Sequence, residues 1–293
     1  MKTIVVGSRE SALAVRQAEI VMNRISAEFP DVLLRHLTFK TTGDIVQDKS
    51  LDKIGGKGLF VKELDIALIE GKIDLAVHSL KDMPMDTPQE LPIFAYSARE
   101  DGRDVLILPL GVTQLKKNAV VGCSSFRRSL QLKEQMPDVT ISPIRGNIHT
   151  RLKKLDEGNY DAIVLALAGL KRMNLDNRAN RIFEPAEMMP AAGQGILAVQ
   201  GRAGELSEYR DCINDIEAES CALAERAFVR VLDGGCSSPV AAYAEIRDET
   251  LKLIGMYVNE ETNHIRRGTI EGDPKNACAL GKELALKLKA GDI

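Results

Sequence analysis

Short apolar runs alternate with longer amphipathic stretches through the first two-thirds of the 293-residue chain. The apolar runs predict strands at residues 3–6, 32–38, 75–78, 92–96, 105–108, 119–122, 140–144, 162–166 and 196–200. Helical periodicity predicts helices at residues 11–28, 61–70, 126–135 and 148–157, with Ser11 as a suitable N-cap for the first. Such alternation indicates an α/β fold with mostly parallel sheets.

The last third of the chain has a different pattern. Residues 217–232 predict one amphipathic helix, and strand-like runs follow at 240–246, 251–258 and 264–270, before a helix at 274–289. This order is typical of a small α+β domain with a three-stranded antiparallel sheet. Two polar or Pro/Gly-rich stretches, residues 97–103 and 184–195, are predicted to connect domains.

Composition argues against several classes of function. The net charge of −3 and the absence of Trp argue against nucleic-acid binding. No apolar run approaches membrane-spanning length, and the N-terminal run is too short for a signal peptide, so we expect a cytoplasmic protein. The five cysteines are odd in number and form no Cys-x-x-Cys pair, and there are four scattered histidines, so neither disulfides nor a metal site are expected.

Residues 74–84, Asp-Leu-Ala-Val-His-Ser-Leu-Lys-Asp-Met-Pro, combine a buried-strand signal with polar chemistry. Ligand-binding groups in α/β sheets lie just past the carboxyl ends of strands. The adjacent Lys81 and Asp82 are therefore a candidate acid/base or charge-stabilising centre. The alternative is a solvated junction between a strand and a loop.

Arginines recur at strand ends and predicted helix starts. They are Arg9, Arg127, Arg128, Arg145, Arg151 and the Lys171–Arg172 pair, and the sequence predicts a helix N-terminus beside each. Guanidinium groups and helix N-termini both bind carboxylates. A pocket for a polyanion is the first interpretation of the set, and separate surface salt bridges are the second.

Two glycine-rich segments add candidates. Residues 55–58, Gly-Gly-Lys-Gly, do not fit a phosphate-binding loop, because Gly58 replaces the required Ser or Thr. Residues 41–58 are instead predicted to be a flexible loop or lid that carries Lys53 and Lys57. Residues 233–239 predict a tight turn presenting Cys236, either as a reactive or modified thiol or as an ordinary turn cysteine.

Six segments together resemble the porphobilinogen deaminase family, and the resemblance runs essentially from end to end. They are residues 7–14 (GSRESALA), 55–60 (GGKGLF), 78–84 (HSLKDMP), 124–128 (SSFRR), 144–147 (IRGN) and 234–236 (GGC). The resemblance implies a monomeric transferase that joins four porphobilinogen molecules head to tail, releases ammonia at each step and finally releases hydroxymethylbilane. It also implies no nucleic-acid or membrane partner.

The resemblance further implies a dipyrromethane cofactor, two linked pyrroles attached through a thioether to Cys236. The implied fold has two lobes like those of type II periplasmic binding proteins, with mixed sheets, and a C-terminal cofactor-anchoring domain. The expected boundaries are 1–97 with 194–214 for the catalytic lobe, 102–190 for the carboxylate-binding lobe and 216–293 for the anchoring domain.

Residue roles follow from the same resemblance. Asp82 is the implied catalytic carboxylate, which protonates the departing amine and stabilises the cation that forms. The cofactor is expected to contact Lys81, Asp82, Ser125, Arg127, Arg128, Arg145 and Gly146. The substrate-binding set is Arg9, Ser11, Lys53, Lys57, Phe60, Ser79, Arg151, Arg172 and Gln194.

The chain departs from the family pattern at two places. Ser237 and Ser238 follow the cysteine where many relatives have Gln and an aliphatic residue, and Cys123 stands where a hydroxyl residue is usual, which puts a second thiol near the expected pocket. Two rival functions remain at this point. One is a solute-binding or regulatory module without chemistry, and the other is a transferase that uses Cys236 as a transient nucleophile.

Overall fold

The computed structural model of the chain describes residues 2–45, 61–232, 239–258 and 264–292. Within these residues, two five-stranded mixed sheets are followed by one three-stranded antiparallel sheet. No helix among them is both long and apolar enough to cross a membrane.

The first sheet has the strand order β2-β1-β3-β10-β4. Its strands are β1 (Thr3–Arg9), β2 (Leu33–Phe39), β3 (Leu75–Ser79), β4 (Ile93–Tyr96) and β10 (Leu197–Gly201). Its helices are α1 (Ala12–Glu28), α2 (Thr42–Ile45) and α3 (Lys62–Ile69). Ser11 caps α1 by accepting a hydrogen bond from the Ala14 amide, as predicted.

The second sheet has the order β7-β6-β8-β5-β9. Its strands are β5 (Asp104–Ile107), β6 (Val120–Gly122), β7 (Thr140–Ser142), β8 (Ala162–Ala166) and β9 (Arg181–Ile182). Its helices are α4 (Phe126–Gln135), α5 (Ile148–Asp156) and α6 (Leu167–Arg172). Ser125 caps α4 and Asn147 caps α5 through their side-chain oxygens.

The two sheets share one topology. In each, the fourth strand in the order, β10 in one and β5 in the other, runs antiparallel to both of its neighbours. The chain leaves the first sheet after Tyr96, enters the second at Asp104, and returns to the first at Leu197. The expected fold of two lobes with mixed sheets is therefore confirmed, and the two passages coincide with the predicted connections. The domain boundaries themselves stay a prediction.

The C-terminal part forms the expected α+β unit. It comprises α7 (Ile216–Val231), β11 (Ala241–Arg247), β12 (Thr250–Val258), β13 (Ile265–Gly272) and α8 (Ala277–Ala290). The two helices pack closely, because a Cβ at Gly281 of α8 would collide with the Ala224 carbonyl of α7. Phe228, Leu253 and Leu284 fill the core between helices and sheet.

Three details of the sequence interpretation were wrong. The segment 167–172 is a helix of its own, so Lys171 and Arg172 lie at a helix C-terminus and not at an N-terminus. Residues 42–45 of the predicted loop form a helical turn, and residues 46–60 lie outside the described part. The short strand β9 was not predicted, because two residues carry no periodicity.

Candidate functional site

The turn that carries Lys81 and Asp82 follows a strand buried on both faces. The first four residues of β3 are buried, and the chain then forms a 3₁₀ turn over Leu80–Asp82. The Leu80 amide donates a 3.0 Å hydrogen bond to the Ile196 carbonyl, and the Leu80 side chain is fully buried. The turn is thus fixed at the carboxyl end of the strand, where a ligand site was expected.

Helix α7 of the C-terminal unit holds the chain just beyond this turn. Arg226 donates hydrogen bonds to the carbonyls of Pro84 and Met85, and Arg230 donates to the Met85 carbonyl at 2.6 Å. The same helix ends immediately before the segment 233–238. Helix α7 therefore ties the chain beyond the Asp82 turn to the C-terminal unit.

A cavity of about 750 Å³ lies between the two sheets, in front of Asp82. Among the residues predicted as site residues, its lining includes Arg9, Ser11, Ser79, Lys81, Asp82, Arg128, Arg145, Gly146, Arg151, Arg172 and Gln194. They come from both lobes, since 9–17 and 79–82 adjoin strands of the first sheet and 128 and 145–172 adjoin strands of the second. Residues 194–196 directly precede β10 of the first sheet.

A second cavity of about 170 Å³ shares four lining residues with the first: Lys81, Asp82, Arg128 and Gln194. Ser125 and Arg127 also line it. Val229 and Val240, which stand on either side of the segment 233–238 in the chain, complete it towards the C-terminal unit. Asp82 therefore borders a large cavity between the lobes and a small one that reaches towards the C-terminal unit.

Positive charge dominates the large cavity. Among the described residues, its lining contains seven cationic side chains and two carboxylates, and the cations are Arg9, Lys40, Lys81, Arg128, Arg145, Arg151 and Arg172. Burial lowers the pKa of Arg151 to about 10, and the nearby Arg128 guanidinium adds to the effect. Burial likewise lowers the pKa of Arg172 to about 10, although Glu100 opposes this shift. Both remain protonated at neutral pH, so the cavity favours polyanions.

A buried ion network stands beside the two cavities. The Asp104 carboxylate accepts hydrogen bonds from Arg127 Nη1 at 2.9 Å, from Arg128 Nη2 at 2.7 Å and from Gln194 Nε2 at 2.8 Å. Burial alone would raise the pKa of Asp104, but the two guanidiniums hold it well below its usual value. Neither the residue nor its role was predicted from the sequence.

Two glycines near the cavity have conformations that other residues adopt poorly. Gly146 has φ of 116°, and a Cβ there would lie 2.7 Å from the Thr150 side chain. Its carbonyl accepts a 2.7 Å hydrogen bond from Arg151 Nε. Gly195 has φ of 93°, and a Cβ would collide with the Glu100 carbonyl. Arg172 Nη2 donates to the Gly195 carbonyl, which ties the second lobe to the returning chain.

Four of the predicted site residues lie outside the part of the chain that the structure describes. The structure also weakens the case for a role of Cys123 in the pocket. Cys236, Lys53, Lys57 and Phe60 lie outside the described residues. Cys123, expected near the pocket, is only 4% exposed, packs in the core of the second lobe, and lines neither cavity.

Other lining residues were missed. Gln17, Lys40, Asn147 and Thr150 line the large cavity. Of these, Gln17 could have been found from the sequence, because it is a polar residue on the core-facing side of α1. It is buried, and its amide donates a 2.9 Å hydrogen bond to Ser79 Oγ. Across the described ranges, no group of three or more His, Cys, Asp or Glu side chains could hold a metal ion.

Comparison with known proteins identifies the family. The model for the "porphobilinogen deaminase, dipyromethane cofactor binding domain" matches residues 4–208, and the model for the C-terminal domain of the same enzyme matches 219–290. Porphobilinogen deaminase of Alkaliphilus oremlandii is 53% identical over 98% of this chain and 97% of its own length. That of Acetivibrio thermocellus is 51% identical over 98% of both.

Among solved structures, the second substrate-binding domain of a putative amino acid ABC transporter from Streptococcus pneumoniae aligns with a TM-score of 0.45 at 13% identity. The alignment covers 80% of this chain and all of that one. The two family models together span nearly the whole chain, and the curated relatives match it over almost their full lengths. The chain therefore belongs to the porphobilinogen deaminase family.

Proposed function

We propose that the chain joins four porphobilinogen molecules head to tail in the cavity between its lobes, with Asp82 as the catalytic carboxylate. Each joining step releases ammonia, and hydrolysis finally releases hydroxymethylbilane. One observation carries the proposal. Asp82 stands where a polycationic cavity of about 750 Å³ meets a smaller cavity directed towards the residues that flank Cys236.

The residues around the small cavity fit a dipyrromethane cofactor. Each of its pyrroles carries an acetate and a propionate, and Lys81, Ser125, Arg127 and Arg128 supply donors for such carboxylates. Arg128 Nε is buried and has no hydrogen-bond partner among the described residues, which leaves a donor for a ligand oxygen. Attachment is assigned to Cys236. When bound, the group supplies the pyrrole carbon to which the first substrate unit is joined.

Asp82 is assigned two tasks at the substrate. It delivers a proton to the amine that leaves as ammonia, and its carboxylate then stabilises the positive charge on the pyrrole methylene and ring. The adjacent Lys81 keeps a cation beside this carboxylate and donates to Gln194 Oε1 at 3.4 Å. Arg9, Ser11, Ser79, Arg151, Arg172 and Gln194 are assigned to the substrate and the growing chain, as are Lys53, Lys57 and Phe60. Arg145 and Gly146, which line the large cavity, are assigned to the cofactor.

The lobes are assigned different tasks. The catalytic lobe (1–97 and 194–214) supplies Asp82, the second lobe (102–190) supplies most of the arginines, and 216–293 anchors the cofactor. The working unit is proposed to be a monomer. Cys123, Cys212, Cys221 and Cys278 are free thiols, which supports a reducing compartment, the cytoplasm.

Single arginine substitutions test the assignment of the two cavities. Every added unit brings two carboxylates to new positions, so replacing different arginines should stall growth at different chain lengths. The variants are Arg127→Lys, Arg128→Lys, Arg145→Lys and Arg151→Lys. An ammonium cannot form the planar two-bond contact of a guanidinium, so each should cost about 1–3 kcal/mol at its own step. Intact-protein mass spectrometry of enzyme-bound intermediates measures the stalled lengths.

Arg178→Lys is the matched control, because Arg178 pairs with Asp156 and lines neither cavity. It should give the wild-type distribution of intermediates. Equal and mild losses in all four variants would point to a generic electrostatic patch. Binding of porphobilinogen without release of ammonia would point to a solute-binding module.

The pH dependence of turnover tests whether the Lys81 ammonium is needed as a cation in the cavity. Burial lowers the pKa of its ammonium to about 8, although Asp82 opposes this shift. As the pH rises through about 8, Lys81 loses its proton and the cavity loses a cation. We therefore expect kcat/KM for porphobilinogen to fall on this alkaline limb. Lys81→Arg, which stays protonated, should move the limb to higher pH, and an unmoved limb would exclude Lys81 as its cause.

A further inference from the structure

We propose that Asp104 is a positioning residue for the reaction, fixing Arg127, Arg128 and Gln194 in the orientations that receive ligand carboxylates beside Asp82. This inference rests on the proposed function. Asp104 is the first residue of β5, at the point where the chain enters the second lobe, and it is completely buried.

The contacts of Asp104 join three separate parts of the chain. Its two carboxylate oxygens each take one guanidinium, at 2.9 Å from Arg127 and 2.7 Å from Arg128, in the first turn of α4. Gln194, which belongs to the chain returning to the first lobe, donates to the same carboxylate at 2.8 Å. A buried carboxylate with three donors has one well-defined position, and it holds its three partners in fixed orientations around it.

The effect on Arg128 is the most specific. Its Nη2 is held by Asp104, and its Nη1 donates to the Val164 carbonyl at 3.3 Å. Its Nε is buried and has no partner among the described residues, while the side chain lines both cavities. With both terminal nitrogens fixed, the guanidinium keeps one orientation at the wall of both cavities. A ligand carboxylate then meets an arginine that has no rotamers left to lose.

The network also reaches the catalytic turn. Gln194 donates to Asp104 through Nε2, and its Oε1 accepts from Lys81 Nζ at 3.4 Å. A continuous chain of hydrogen bonds thus runs from the two arginines through Asp104 and Gln194 to the residue beside Asp82. Asp104 therefore sets the arginines and the catalytic turn relative to each other, although it lines neither cavity.

Charge balance gives Asp104 a second effect. Two guanidiniums and one carboxylate leave a net charge of +1 at the network instead of +2. A growing chain must be bound at each step and must also move on after it. A partly neutralised pair of arginines meets both needs, because it attracts a carboxylate without holding it as strongly as two unpaired cations.

The test compares two substitutions with a matched control in holoenzyme. Asp104→Glu keeps the charge but shifts the carboxylate by one methylene, and Asp104→Asn removes the charge. The control is Asp156→Asn in the same lobe. Asp156 is likewise paired with guanidinium nitrogens, both of them from Arg178, but it lines neither cavity. Measurements are kcat and KM for porphobilinogen, the melting temperature, and the fraction of protein that carries a two-pyrrole adduct by intact mass.

We expect Asp104→Glu to melt within about 3 °C of the wild type while kcat/KM falls about 10- to 100-fold. Asp104→Asn should lose more activity and should also carry the adduct in a smaller fraction of molecules. Asp156→Asn should keep wild-type kcat/KM and adduct. Wild-type kcat/KM in Asp104→Glu would overturn the proposal, as would activity lost only in proportion to unfolded protein, or failure of both Asp104 variants to fold. If wild-type protein itself converts no porphobilinogen, the proposed function fails instead.

Discussion

Asp82→Asn is expected to lower kcat for porphobilinogen by about 10²- to 10³-fold, which corresponds to about 3–4 kcal/mol of lost transition-state stabilisation. The amide keeps the shape of the carboxylate but can neither deliver a proton nor face a cation with a full negative charge. Among the described residues that line the cavities, Glu10 is the other carboxylate, and it follows β1 rather than the catalytic turn. No other side chain of the turn can take over the role.

The fold should survive this substitution. The turn is held by the buried Leu80 side chain, by the Leu80 amide and by the contacts of Arg226, none of which needs the Asp82 charge. Asp31→Asn is the matched control, since it makes the same chemical change at an exposed position outside both cavities. Steady-state kinetics and melting curves of both variants decide the matter. A near-normal kcat in the Asp82→Asn enzyme would show that Asp82 has no role in the chemistry.

Cys236→Ala is expected to abolish turnover, because the cofactor would have no point of attachment. The other thiols are poor substitutes. Burial raises the pKa of Cys221 to about 12, and Cys123 is enclosed in the core of the second lobe. Cys278 is exposed, but it lies on α8 and lines neither cavity.

Cys123→Ser and Cys278→Ser are the controls for this prediction, and both should keep activity. Cys236→Ala should also melt earlier than the wild type, since a group that contacts both lobes stabilises the folded state. Activity assays and thermal melting measure the two effects. Full activity in Cys236→Ala, or its loss in Cys123→Ser, would contradict the assignment of the attachment site.

Much of the fold was predictable because local sequence patterns indicate its helices and strands. The buried residues of β3 form a continuous apolar run that ends in polar residues, and the caps Ser11 and Ser125 stand directly before their helices. The arginine-rich cavity was also predictable as a class of site. Arg9 and Arg145 lie at or just after a strand end, and Arg127 and Arg128 open a helix. Such positions converge at one edge of a sheet where its strands are parallel.

The missed features depend on contacts between distant parts of the chain. Asp104 looked like an ordinary charged residue just before a strand, because its partners Arg127, Arg128 and Gln194 are 23 to 90 residues away. Arg172 was assigned to a helix start because the six-residue helix α6 is too short to show periodicity. Cys123 lies near the pocket as expected, with its Sγ 3.6 Å from the Ser125 carbonyl, but its side chain packs in the core of the second lobe and lines neither cavity.

The central claim is that the product grows as a covalent chain on this protein, in the cavity between the lobes. The most direct measurement is the intact mass of wild-type protein before and after addition of porphobilinogen in small excess. We predict a single adduct of two linked pyrroles in the resting protein, mapped by peptide analysis to residues 233–238, and then discrete species that each gain one further pyrrole unit. Fully active protein with an unmodified mass, or substrate turnover without any of these species, would contradict the account.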